Sequence, residues 1–150
     1  MFRIRKDGRK WMDQVGFKID FDAYYFFLMA GFAADRRNER ATDVADLIDY
    51  FPKDYQASQR LIIAHLCSKV IVRYGIEWND RKGVHDIVKK LLEPGAPGFV
   101  SATGFEEMNA YAAAGVDVLQ EAFVEKPRDL ETFLLHYSKT IQNLLKKNAN

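Results

Sequence analysis

Apolar positions recur along the chain mostly at helical spacing, and they divide it into six candidate helices. After Asp20 or Asp22, either of which can cap, a run through Tyr24-Tyr25-Phe26-Phe27-Leu28-Met29 predicts a helix to about Arg36. It is apolar on every side, so it calls for burial all round, by its own chain or by a partner. Thr42 is the next cap, with Val44, Leu47, Ile48 and Phe51 at i, i+3, i+4 and i+7 predicting a helix ended by Pro52. From about Ala57 to Tyr74 lies a central helix, apolar on several sides and stopped by Gly75. Asn79 is read as the cap of a shorter helix with Val84, Ile87, Val88 and Leu91 inward. Thr103 and Glu106 match a capping box for a fifth helix, and Pro127 and Asp129 open a sixth that ends at Lys146 and Lys147.

No segment alternates with period two between hairpin turns, and nothing repeats at solenoid spacing. The expected fold class is therefore all-α: a single domain of about six helices, bundle-like or orthogonal. Residues 1–18 read as a basic, partly ordered N-terminal arm and 19–150 as the helical domain. Pro94-Gly95-Ala96-Pro97-Gly98 forms an internal rigid loop near 93–102. The Ala112-Ala113-Ala114-Gly115 run is small enough for another helix to approach closely.

Composition narrows the function classes. The chain is 48% apolar and 29% charged with net charge +1, so it carries no global field for a polyanion. The most apolar run, Ala23 to Ala34, falls short of the ~18 residues of a membrane span. No secretion signal is visible, so no membrane partner and a cytoplasmic address are expected. The arm concentrates charge, with Arg3, Arg5, Lys6, Arg9, Lys10 and Lys18 against Asp7 and Asp13.

Candidate chemistry is sparse. Cys67 shares a helix face with Ile63, Val70 and Ile71, and reads as a small buried hydrophobe. His65, His85 and His136 fall on three different helices, without the spacing of a ligand pair. Asp43, Asp46 and Asp49 resemble a cation site by spacing, but one helix face offers a hard cation too few oxygens, and a solvated face explains them. The expectation is a protein without enzymatic activity, cofactor or metal.

Two functions of different class remain. The first is a protein-interaction module, a small subunit or adaptor, which binds another chain or itself through the aromatic helix at Tyr24, Tyr25 and Phe26. The second is nucleic-acid binding through Arg3, Arg5, Arg9 and Lys10 of the arm, Arg36, Arg37 and Arg40, and the outward face with Lys82 and Lys89.

The segment Tyr24 to Arg37, an aromatic helix running through Ala30-Gly31-Phe32 into an arginine pair, resembles a stretch in small accessory proteins encoded beside prokaryotic DNA-phosphorothioation and related phage-defence systems. The resemblance implies an accessory part in a defence complex on or near DNA, and transfers no functional residue.

Overall fold

The computed structural model describes residues 1–149. Among them it forms six α-helices and one two-stranded sheet, in the order β1 (Arg3–Arg5), α1 (Lys6–Trp11), α2 (Asp20–Ala34), β2 (Val44–Asp46), α3 (Gln59–Arg73), α4 (Arg81–Leu91), α5 (Ala102–Ala122) and α6 (Leu130–Ala149). The fold is all-α, as the periodicity implies, and no described helix is long and apolar enough to cross a membrane.

The chain divides into two compact units. Residues 1–2 and 48–108 make the first, and residues 3–47 with the chain from Asn109 onward make the second. The expected arm, residues 1–18, is thus shared between them and is ordered throughout. Phe2, Ile4, Met12 and Val15 are buried.

In the first unit, Phe2 packs edge-on against Phe51 and Phe105, with ring centroids 5.1 and 4.9 Å away. Ile62, Leu66, Val70 and Ile71 of α3, Ile87 and Leu91 of α4, and Met108 complete this core. In the second, α2 is buried on most sides through Phe21, Tyr24, Phe27, Leu28 and Phe32. Its all-round apolarity is met inside its own unit. Gly31 and Gly115 permit the close approach of α2 and α5: a Cβ at Gly31 would run into the Tyr111 carbonyl, and one at Gly115 into the Phe27 carbonyl.

Local expectations need correction. Asp20 and Asp22 lie inside the first turn of α2, whose cap is Ile19; the Asp22 carboxylate accepts the Ile19 N–H at 3.1 Å. Residues 42–51 do not form a helix. Val44, Ala45 and Asp46 pair antiparallel with Arg5, Ile4 and Arg3, and those backbone bonds replace the helical ones. The chain then makes a short 3-10 turn at Lys53–Tyr55. Period alone could not reveal a strand whose partner lies about forty residues earlier. The cap of α5 lies two residues earlier than expected: the Ser101 hydroxyl oxygen accepts the Gly104 N–H at 3.0 Å, so Ser101 and not Thr103 is the cap.

Candidate functional site

α3 ends in a left-handed glycine turn. Gly75 has φ +69°, its N–H donates to Val72 O, and the Ile76 N–H reaches back to Ile71 O, so the last carbonyls of α3 are satisfied. Trp78 follows in the connection. Asp80, and not the expected Asn79, caps α4, its carboxylate accepting the Gly83 N–H at 3.0 Å.

Beyond α4 the Pro94–Gly98 loop is held by its own backbone bonds: Ala96 N–H to Glu93 O, Phe99 N–H to Ala96 O, and Glu93 N–H to Phe99 O. The turn places Phe99 at φ +60°, a region a bulky residue enters at a cost of about 1–3 kcal/mol. The strained residue leaves its ring 45% exposed.

Between these connections runs a groove of about 580 Å³. Ile63, Cys67 and Ile71 of α3 and Val84, Val88 and Leu92 in and after α4 line it, with Trp78 before α4 and Phe99 beyond it. Arg60 is the one charged residue among its lining side chains. The adjoining exposed ridge of α4 carries Arg81, His85 and Lys89 at i, i+4 and i+8, which stack along one side of a helix. Asp86 is turned a further quarter of the helix away. Trp78 is 60% exposed, and α3 adds Leu61 at 68% and Val72 at 62%. The expectation that this helix packs on several sides is therefore corrected: one side is core and the other is open.

The residues singled out in the sequence lie mostly elsewhere. Tyr24 is fully buried, and its hydroxyl donates to Asn109 Oδ1 at 2.8 Å. It has no surface to offer a partner, which corrects its assignment as an interaction residue. Phe26 is half-buried among Phe17, Phe133 and Tyr137, with ring centroids 4.8–5.4 Å away, and Tyr25 meets the Phe26 ring edge-on. The Tyr137 hydroxyl donates to Phe26 O, and burial, with a smaller contribution from Tyr25, pushes its pKa well up.

The cations of the arm and of the cluster after α2 are largely engaged in ion pairs. Arg3 meets Asp46 at 2.9 Å, Arg9 meets Asp20 at 3.4 Å, and Arg37 meets Glu39 at 3.5 Å. Arg5 bridges Asp7 and Asp117 at 2.6 and 2.9 Å. Burial works against its charge, but the bonds it donates to both carboxylates outweigh it and raise its pKa. Arg36 holds Glu121 through both oxygens at 2.8 and 3.2 Å, a bidentate fork. Lys10, Arg40, Lys82 and Lys89 are exposed. Seven of the nine cations belong to the second unit, while Lys82 and Lys89 belong to α4 of the first.

A second groove of about 830 Å³ lies within the second unit, lined by Phe123, Arg128, His136, Lys139, Thr140 and neighbours. Part of its polar lining serves the fold. Lys126 pairs with Asp13 at 2.7 Å, Asp129 caps α6 through the Thr132 N–H, and the Thr140 hydroxyl donates to His136 O. Among the described residues no group of three or more His, Cys, Asp or Glu could hold a metal ion. Burial pushes the Cys67 thiol pKa up, and neither a histidine nor a carboxylate shares its groove, so nothing there activates it.

Fold and groove together define an all-α protein with an apolar, cation-edged cleft between two consecutive helices. No family model matches the chain, and neither curated proteins nor solved structures give a match. Sequence reasoning missed Trp78 and Phe99. The available signals were an indole placed in a polar interhelical turn and an apolar α3 with too little chain to cover it.

Proposed function

We propose that the protein is a non-enzymatic interaction module, a small subunit or adaptor of a larger prokaryotic complex, which receives a helix of another protein in the α3–α4 groove. The observation that carries this reading is the groove itself: an apolar cleft with Trp78 and Phe99 exposed at its borders. Tryptophan is over-represented among residues that dominate binding energy, and an apolar helix face laid into such a cleft is a recurrent recognition mode. The resemblance of Tyr24 to Arg37 to accessory proteins of phage-defence systems supports a place in such a complex. The nucleic-acid alternative retains Lys10, Arg40, Lys82 and Lys89 as exposed cations, while its arginines are largely engaged with carboxylates.

The test is a tagged pull-down from the native host, with and without nuclease, run in parallel for the wild type and for Trp78→Ala. Each captured protein is then purified and its affinity measured by calorimetry. A partner that survives nuclease and binds Trp78→Ala about 30-fold more weakly, the loss expected of a central anchor, supports the reading. Equal affinity for Trp78→Ala and for Phe99→Asn would overturn it. Capture abolished by nuclease would favour the nucleic-acid alternative.

A further inference from the structure

We infer that the segment seated in the α3–α4 groove is an amphipathic partner helix of about three turns whose apolar stripe is flanked by acidic side chains. The inference rests on the docking reading above and adds the chemistry of the occupant.

Length follows from geometry. The cleft runs beside α4, whose 11 residues span about 16 Å at 1.5 Å per residue. A partner helix of about the same number of residues fills it. Its stripe must present apolar residues at i, i+3, i+4 and i+7 to meet Ile63, Ala64 and Ser68 on one wall and Val84 and Val88 on the other.

Charge follows from the edge. No carboxylate lines the groove, Arg60 does, and Arg81, His85 and Lys89 stand along the neighbouring ridge of α4. A helix in the cleft would run its flanking residues beside the cations Arg60, Arg81 and Lys89. Glutamate and aspartate there gain attraction, whereas lysine meets like charge.

Two other occupants fit worse. A phosphate backbone would find cations on the ridge but nothing to bury against an apolar lining. A second copy would have to offer its own exposed apolar helix face. α6 exposes Leu134, Leu135 and Leu145, but carries Lys139, Lys146 and Lys147 against Glu131, which sets cation against cation.

The experiment titrates the full ¹⁵N-labelled chain with three synthetic 14-residue helical peptides. They share one leucine stripe and differ only in flanking residues: glutamate, glutamine or lysine. The expected result is that the glutamate peptide shifts the Trp78 indole resonance and the amides of Ile63, Cys67, Val84 and Val88. It should bind about tenfold more tightly than the lysine peptide at low salt, with the gap narrowing at ~0.3 M salt. The double variant Arg81→Glu/Lys89→Glu, which alters exposed positions only and should melt like the wild type, reverses the order.

Equal binding of all three peptides, or preference for lysine, overturns the acidic occupant and leaves the docking groove standing. If none of the peptides moves these resonances, both readings fail together. Should the same resonances shift with protein concentration alone, the occupant is a second copy and the inference is wrong.

Discussion

Truncating Tyr24 decides whether the aromatic helix is core or contact surface. The structure buries Tyr24 completely and ties its hydroxyl to Asn109 Oδ1 at 2.8 Å, an oxygen that also accepts the Arg3 N–H at 3.0 Å. Burial alone pushes the hydroxyl pKa well above its ordinary value, so the group is an uncharged donor at any working pH. Tyr24→Ala removes a ring from a packed interior, at a cost of about 3–5 kcal/mol. For a chain of 150 residues, each kcal/mol moves the Tm by about 2–4 °C, so the midpoint should fall by about 6–20 °C. Tyr24→Phe keeps the ring and loses the hydrogen bond, and should cost about 1 kcal/mol, or about 2–4 °C. Melting followed by circular dichroism at 222 nm reads both. If Tyr24→Ala melts within about 2 °C of the wild type while partner binding is lost, the core assignment is refuted and the interaction site returns to α2.

Gly31→Ala and Gly115→Ala each drive a Cβ into a backbone carbonyl that no rotamer change can clear, so both should lose about 3 kcal/mol or more. Gly95→Ala, where a Cβ meets nothing within 4 Å, should stay within about 0.5 kcal/mol, and equal melting of all three would overturn the close-packing account. Stability should hold from neutral pH to about pH 5 and decline in more acidic solution. Asp7, despite the opposing effect of burial, is held below its ordinary pKa of 3.8 by Arg5, Glu121 below 4.5 by Arg36, and Asp129 below 3.8 by the Thr132 amide. Depressed carboxyl pKa values contribute stability above the unfolded pKa and lose it as pH falls through the folded one. The urea midpoint at pH 7, 4 and 3 measures this, a rise on acidification would contradict it, and Asp7→Asn/Glu121→Gln should flatten the acid limb. Phe99→Asn relieves a left-handed phenylalanine while removing a half-exposed ring. Stability should stay within about 1 kcal/mol while groove binding falls, and a loss as large as that of Tyr24→Ala would refute the strain argument.

The parts of the fold that were legible are those in which local signals agree. Gly75 ends α3 because a left-handed residue is needed there, and Gly is the residue that supplies it cheaply. Asp129 caps α6 with its carboxylate at 2.8 Å from the Thr132 nitrogen. Small residues in Ala112 to Gly115 predict that another helix comes close, and Gly115 meets the Phe27 carbonyl of α2. What stayed hidden depended on partners distant in sequence. β1 and β2 are three residues each, too short to show a period, and Val44 to Phe51 mimics a helix because its apolar residues serve two different units. The groove was invisible for a related reason. Ile63, Cys67, Val84 and Val88 have the composition of core, and composition does not say which face of a helix the rest of the chain leaves open.

The charged residues that drew attention in the sequence and the surface that remains after folding are different sets, and this separates the two functional readings. Of the nine cations considered for nucleic acid, Arg3, Arg5, Arg9, Arg36 and Arg37 sit in ion pairs. A phosphate would have to compete with carboxylates already within about 4 Å, so each contact would return less than a free cation gives. The Ala30-Gly31-Phe32 residues that carry the resemblance to defence-system accessory proteins are buried. They bear on how α2 packs and offer no surface to a ligand. In the first unit, solvent reaches an apolar cleft, an indole, a strained phenyl ring and an edge of cations on α4. On the proposed reading, the apolar lining would supply affinity for a protein helix and none for phosphate, and the cationic edge would select among helices. The α3–α4 groove therefore accounts for both features at once, and the nucleic-acid reading accounts for the second alone.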